Sequence, residues 1–214
     1  MPNLRKLIQV VVYTILIASQ NVHAQALKEL LEAAGAGDLS RVSFYLDRGM
    51  DPNTSDADGN TILMMAARQG YTELASLLLS RKASLSRQSR SGDTALMMAS
   101  LGGHLPVVKV LVQAGAPLGG AQWQPIHYAA FGGSAETLRF LLERGADKNA
   151  RAPNSYTPLM LAVRNGHADA TRVLLQEDAD FAHRGAGGET ALAIARQRED
   201  QALVELLQRA GAVD

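Results

Sequence analysis

The stretch GNTILMMAARQGYTELASLLL occupies residues 59–79, and the closely similar stretch GDTALMMASLGGHLPVVKVLV occupies residues 92–112. Each contains a short alanine-containing segment and a longer aliphatic segment, with glycine between the two. The offset between the two stretches is 33 residues. A sequence that recurs at a fixed interval of this size indicates an array of small structural units stacked side by side.

The recurrence extends along most of the chain. We take Thr61 as the marker of its unit. The equivalent positions are Thr94, then Gln124 after an interval of only 30 residues, then Thr157 and Thr190 at intervals of 33. An upstream segment fits the same frame with a weakened beginning. The sequence therefore predicts six units, with bounds near 26–58, 59–91, 92–121, 122–154, 155–187 and 188–214.

The first half of each unit has the pattern of a short helix. Threonine at the marker is a good N-cap, because its hydroxyl accepts a hydrogen bond from a free N–H one turn into the helix. Pro125 and Pro158 follow the marker in two units, where the missing N–H costs nothing. One apolar position recurs two residues after the marker and is expected to be buried: Leu63, Leu96, Ile126, Leu159 and Leu192. Glycine then ends the helix in a left-handed conformation, at Gly70, Gly103, Gly133 and Gly166.

The second half of each unit predicts another helix. Val107, Val110 and Leu111 are spaced i, i+3 and i+4, the pattern of a half-buried helix. Glycine closes this helix as well, at Gly49, Gly115, Gly145 and Gly211. Two short helices cannot bury their own apolar sides, so each unit must pack against its neighbours.

The repeated frame, TPLH-AA-GH-LLL-GAD-N, resembles the ankyrin repeat, which has the same length of 33 residues. The resemblance covers residues 26–214 and implies an all-α solenoid of about six stacked helix–turn–helix units with short β-hairpin loops. The departures lie at the ends, where Lys28 replaces the marker threonine and Arg198 replaces the turn glycine. Such departures suit terminal units that face solvent.

The N-terminal segment has the layout of a secretory signal peptide. Arg5 and Lys6 precede the apolar run LIQVVVYTILIA, and Val22 and Ala24 occupy the −3 and −1 positions of a cleavage site. The apolar run is shorter than the roughly 20 residues that a transmembrane helix needs. We therefore expect a signal peptide over 1–24, cleavage after Ala24 and a repeat domain over 25–214. A retained N-terminal anchor is the alternative.

The composition narrows the classes of partner and chemistry. The 214-residue chain is 47% hydrophobic and carries 21 basic and 21 acidic residues, so it has no charge bias toward nucleic acid or an anionic membrane. Loss of Arg5 and Lys6 would leave 19 basic and 21 acidic residues, a net charge of −2. The absence of cysteine excludes disulfides, thiolate metal sites and cysteine nucleophiles.

Neither a catalytic motif nor a cofactor motif is found in the sequence. It contains no G-x-S-x-G, H-E-x-x-H or P-loop pattern. His104 and His167 follow turn glycines, His127 matches the histidine of the TPLH frame, and these three together with His183 are spread over different repeats, units three to five. Metal ligands must converge, so we expect structural histidines. We predict no catalytic, metal or cofactor-binding residues and no enzymatic activity.

The resemblance implies a binding groove on the concave face of the stack, to which the loop tips and the ends of the first helices contribute. The positions that the family uses for this groove are the residue before the marker and the two residues after the pair of small residues in the first helix, which is 66–67 in unit two. The predicted partner-binding residues among them are Trp123, Phe131, Tyr156, Arg68, Arg164, Asn60, Asp93 and Leu101. Exposed aromatic and arginine side chains are frequent contact anchors.

Trp123 has two interpretations. The loop between units three and four is three residues short and lies immediately before Trp123, so a notch is expected beside the indole. Trp123 is then either an exposed anchor for a partner or a side chain that covers the gap left by the missing residues.

These observations predict a non-enzymatic protein-binding scaffold in the bacterial periplasm that acts as a monomer and binds another protein. Resemblance to exported bacterial ankyrin-repeat proteins implies a role in defence against peroxide, alongside catalase. The alternatives are an immunity protein that neutralises a periplasmic toxin and a secreted effector. We expect no nucleic-acid binding and no stable membrane insertion after signal cleavage.

Overall fold

A computed structural model describes residues 22–213, which form twelve helices arranged as six helix–turn–helix units. The first helices of the units are α1 (22–35), α3 (Ile62–Gln69), α5 (Ala95–Leu101), α7 (Pro125–Phe131), α9 (Pro158–Arg164) and α11 (Ala191–Gln197). The second helices are α2 (Leu39–Asp47), α4 (Thr72–Ser80), α6 (Leu105–Gln113), α8 (Ala135–Glu143), α10 (Ala168–Gln176) and α12 (Gln201–Arg209). The predicted all-α solenoid is confirmed.

From α2 onward, each helix packs against the equivalent helix of an adjacent unit. First helices contact first helices from α3 to α11, and second helices contact second helices from α2 to α12. The recurring apolar position of the first helix lies in this continuous core, and its side chains are buried in every unit from two to six: Leu63, Leu96, Ile126, Leu159 and Leu192. Burial between neighbours is therefore what holds one unit to the next.

The marker threonines cap the first helices as predicted. The hydroxyl of Thr61 accepts a hydrogen bond from the backbone N–H of Met64, and Thr94, Thr157 and Thr190 make the equivalent bond. Unit four differs because its marker is Gln124. There the ring of His127 accepts a hydrogen bond from the backbone N–H of Gln124, at 3.0 Å.

One detail of the predicted helix ends is wrong. The left-handed residue after the first helix of unit six is Glu199, with φ 58°, and Arg198 before it is right-handed. Glu199 is therefore the residue that replaces the turn glycine, in register with Gly166, which has φ 79°. A side chain at this angle is strained, which a terminal unit tolerates more readily than an internal one.

The loops that join the units are hairpin-shaped but contain no strand within residues 22–213. Each regular loop contains an equivalent backbone hydrogen bond across its tip: Asp56 N to Asn60 O, Ser89 N to Asp93 O, Ala152 N to Tyr156 O and Gly185 N to Glu189 O. The only bridge between described residues joins Ser55 and Thr61. In the shortened loop before Trp123, the side-chain amide of Gln124 donates to Gly120 O at 2.7 Å instead.

The predicted signal peptide lies outside the described residues, except for 22–24, which belong to α1. Cleavage after Ala24 would therefore shorten α1 at its beginning. Between residues 22 and 213, no helix has the length and apolar character that crossing a bilayer requires.

Candidate functional site

The ends of the first helices form a row that runs from unit to unit. Arg68, Leu101, Phe131 and Arg164 occupy equivalent positions in units two to five, and we call them the helix-end row. The Arg68 carbonyl accepts a hydrogen bond from the His104 ring at 2.9 Å, and the Phe131 carbonyl accepts one from the His167 ring at 2.9 Å.

The backbone carbonyls of the other two members of the row, Arg164 and Leu101, make different contacts. The Arg164 carbonyl accepts a hydrogen bond at 2.6 Å from Arg198, which takes the place of the histidine in unit six. At Leu101 no side chain intervenes, because Gly132 lies directly against the Leu101 carbonyl. A Cβ atom at Gly132 would overlap that oxygen. Glycine is therefore required where units three and four approach each other most closely.

An apolar groove lies between units three and four, beside the shortened loop. Its volume is ≈ 200 Å³, and it is lined by Leu101, Trp123, His127, Tyr128 and Phe131. Phe131 is 50% exposed and lies beside Leu101 and Trp123, so these side chains form an exposed apolar patch rather than a single exposed residue. The groove joins Leu101 and Phe131 of the helix-end row to Trp123, which comes from the loop side.

Trp123 both packs and lines the groove. Its ring meets His127 edge-on at 5.6 Å between centroids and Tyr128 edge-on at 6.3 Å. The side chain is half-buried and contacts the core. Each interpretation of Trp123 thus has a structural counterpart, since the indole supports its own unit with one side and borders open space with the other.

Tyr128 fixes the floor of the groove. Its hydroxyl donates a hydrogen bond to the carboxylate of Asp93, in the preceding unit. Burial, together with this bond to Asp93, raises the pKa of Tyr128 well above its ordinary value. The phenol therefore stays neutral and ties the loop of unit three to the first helix of unit four.

His127 is a buried structural residue. One ring nitrogen accepts from the Gln124 N–H, and the other donates to the Ala150 carbonyl at 3.1 Å. Burial lowers the pKa of His127, although the carbonyl of Ala150 and the charge of Asp147 oppose this change. The ring nitrogen Nδ1 accepts from the Gln124 N–H, so it must itself carry no proton. The ring thus has no free nitrogen for a ligand.

A polar cluster flanks the groove on the side of units five and six. Tyr156 donates a hydrogen bond to Glu189, which raises the pKa of the phenol and lowers the pKa of the carboxyl. The guanidinium of Arg164 lies 5.4 Å from the centre of the Tyr156 ring. These three side chains come from the loops and the helix end that the sequence singled out.

On the opposite side, Asn60 serves its own loop. Its backbone N–H and its side-chain amide both donate to the carboxylate of Asp56, at 2.8 and 2.9 Å. Partial burial opposes ionisation of Asp56, but the bonds from Asn60 and Asp58 and the field of Arg68 hold its pKa below the ordinary value. Asn60 is therefore partly committed to loop structure, whereas the Arg68 side chain is exposed.

Of the eight predicted binding residues, the structure brings Leu101, Trp123 and Phe131 into one groove. The other five do not line it: Asn60, Arg68, Asp93, Tyr156 and Arg164. Sequence reasoning missed Tyr128 as a lining residue. A signal existed, because units two, three, five and six have Met65, Met98, Leu161 and Ile194 at this position, and tyrosine adds a hydroxyl that needs a partner.

No group of three or more histidine and carboxylate side chains is arranged to hold a metal ion within the described part of the chain. His104, His167 and His183 contact backbone, as His127 does. The ring of His183 lies 2.9 Å from the Ser155 carbonyl, and both residues belong to unit five. The contacts of His104 and His167 contribute to the joints between units.

Comparison with known proteins gives a single family. No curated protein sequence matches the chain significantly. Among solved structures, the crystal structure of the human ASB11 ankyrin repeat domain is similar, with a TM-score of 0.79 and 28% sequence identity over 86% of this chain and 84% of that one. The family described as "Ankyrin repeats (3 copies)" matches residues 15–121, 84–152 and 126–213. Because these matches together cover most of the sequence, the chain belongs to the ankyrin-repeat family.

Proposed function

We propose that this protein is a non-enzymatic scaffold that binds a partner protein on the concave face of its repeat stack, with the groove at units three and four as the centre of contact. Ankyrin repeats generally mediate protein–protein interaction, and solenoids of this kind use extended concave surfaces for it. The observation that carries the proposal is the half-exposed Phe131 beside Leu101 and Trp123.

The physical argument concerns the composition and rigidity of the groove. Binding energy concentrates in a few aromatic and apolar anchors that exclude water when a partner covers them. Trp123 and Phe131 provide such anchors, and the Tyr128–Asp93 bond and the close contact at Gly132 hold them in place. A preorganised groove spends little free energy on ordering its own side chains during association.

The location of this activity is part of the proposal. The basic start, the apolar run and the small residues before Gln25 support export to the periplasm of a bacterium with cleavage after Ala24. By binding its partner there, the scaffold would support defence against oxidative stress. Neutralisation of a periplasmic toxin and export as an effector are the alternatives. Fractionation of cells into periplasm, membrane and medium tests the location directly.

Groove substitutions test the binding role. We expect Phe131→Ala and Trp123→Ala each to weaken capture of the physiological partner from periplasmic extract by about tenfold or more, because each removes an apolar anchor. The measurement is quantitative pull-down from that extract at several concentrations of the immobilised protein. Phe44→Ala is the matched control, since Phe44 is 46% exposed on α2, in unit one.

Phe131→Ala is the more decisive variant, because Trp123 also packs against His127 and Tyr128 and its loss disturbs the fold as well. Circular dichroism and urea unfolding of each variant separate the two effects. Full retention of the partner by Phe131→Ala, with the fold intact, would place the contact surface elsewhere on the stack.

A further inference from the structure

The charges around the groove carry an inference about the partner, and it rests on the binding function proposed above. Arg68 and Arg164 lie at the two ends of the helix-end row, with the apolar pair Leu101 and Phe131 between them. The side chains of both arginines are exposed, and neither forms an ion pair with another residue of the region 22–213. Two cations therefore flank one apolar site.

The carboxylates on the loop side are already engaged. Asp93 accepts the Tyr128 hydroxyl, Glu189 accepts the Tyr156 hydroxyl, and Asp56 accepts donors from Asn60 and Asp58. All of these donors are neutral groups, so the carboxylate oxygens are hydrogen-bonded without forming an ion pair with an arginine. The fields of Arg68 and Arg164 reach Asp56 and Glu189, yet their guanidinium donors remain open to an incoming carboxylate.

Arg198 extends the positive side of the groove into unit six. One of its nitrogens donates to the Arg164 carbonyl at 2.6 Å, which uses only part of the donor capacity of a guanidinium. This bond holds Arg198 next to Arg164 while leaving its side chain exposed. Units five and six thus present two adjacent arginines beside the apolar groove.

We propose that the groove binds an acidic segment of the partner, in which one bulky apolar side chain enters between Leu101, Trp123 and Phe131 and carboxylates on both sides pair with Arg68 and Arg164. Packed helices lie about 8–10 Å apart, and an extended segment advances about 3.3 Å per residue. The carboxylates therefore belong about four residues before and after the apolar anchor, given the reach of both side chains.

The fluorescence of Trp123 provides a direct test, because it is the only tryptophan in the chain and borders the groove. The probes are three peptides without tryptophan: acetyl-EGSGFGSGE-amide, the basic version acetyl-KGSGFGSGK-amide and the anchorless version acetyl-EGSGAGSGE-amide. We expect the first to shift Trp123 emission with saturation, and to bind about tenfold more tightly than either of the others. The preference over the basic peptide should diminish with added salt.

Substitutions on the protein side provide the second arm. Arg68→Gln combined with Arg164→Gln should reduce affinity for the acidic peptide about tenfold, to the level of an uncharged groove. The carbonyls that accept from His104 and Arg198 belong to the backbone, so these changes leave the joints between units intact. Arg172→Gln is the matched control, since Arg172 lies on α10 and pairs with Asp169.

Equal or tighter binding of the basic peptide, equal binding of the anchorless peptide, or no emission shift at millimolar acidic peptide would each overturn the proposed partner chemistry. These failures are distinguishable from failure of the binding function. If capture of the physiological partner still depends on Phe131, the groove is a binding site for a segment of other chemistry. If that dependence is also lost, both proposals fail.

Discussion

At the scale of single residues, side chains around the groove combine structural and surface roles. His127 bridges two backbone groups, Tyr128 holds Asp93, and Trp123 packs on both. Polar groups that are buried in this way need their partners, because an unpaired buried group costs about 1–3 kcal/mol. The same bonds set the position of the exposed aromatic surface.

A pH dependence follows at this scale from His127. Its pKa is lowered in the folded protein, so the unfolded chain binds more protons between the folded pKa and the ordinary value near 6.5. The stabilisation is complete above about pH 6.5 and is lost as the pH falls toward the folded pKa, by at most about 1.4 kcal/mol per pH unit.

Urea unfolding between pH 7.5 and 5.5 measures this effect. We expect the free energy of unfolding of the unmodified protein to decrease as the pH is lowered across this range. We expect His127→Gln to be less stable at pH 7.5, because it loses a buried acceptor, and to show a flatter pH dependence. An identical pH dependence in both proteins would assign the titration to other groups.

At the scale of structural elements, the joint between α5 and α7 determines the groove. The loop before Trp123 is three residues short, and Gly132 leaves room for the Leu101 carbonyl where α5 and α7 meet. At three other joints, a histidine or arginine side chain forms a hydrogen bond with the corresponding carbonyl. This joint instead depends on the absence of a side chain.

Gly132→Ala tests this joint. The added methyl group would overlap backbone rather than a flexible side-chain end, so units three and four must shift apart. We expect a loss of about 1–3 kcal/mol of stability, the usual cost of overpacking, and weaker partner binding. Gly120→Ala is the matched control, because no atom lies within 4 Å of its added Cβ. Comparable unfolding midpoints for the two variants would contradict the proposed role of the close contact.

At the scale of the whole molecule, stability is a sum over adjacent units. The main contacts of each helix from α3 onward are with the other helix of its own unit and with the equivalent helices of adjacent units. Arrays of this kind have no single central core that all units share. Loss of terminal units should therefore shorten the stack without dissolving it.

Removal of units five and six tests this additivity. A chain ending at residue 154 should keep a helical circular dichroism spectrum and unfold cooperatively, with a lower urea midpoint and a smaller dependence on urea concentration. The reduced slope follows from the smaller surface exposed on unfolding. Complete loss of helix in this shorter chain would show that the C-terminal units are needed for the others to fold.

The periodic part of this protein follows from sequence alone. A marker threonine, a buried leucine two residues later and a turn glycine recur at nearly constant spacing, and each has a local physical cause in capping, burial or backbone conformation. Each of these causes acts within a single unit, so it can be recognised in the sequence of that unit. Its repetition along the chain strengthens the prediction. The helices, their order and their packing partners were accordingly predictable.

Tertiary structure decided the parts that depend on two units at once. The bond from Tyr128 to Asp93, the contact of Gly132 with Leu101 and the grouping of Leu101, Trp123 and Phe131 all cross the joint between units three and four. Their geometry depends on how units three and four pack against each other on either side of a loop that is three residues short. That geometry is set by packing between side chains remote in sequence, which no repeat pattern specifies.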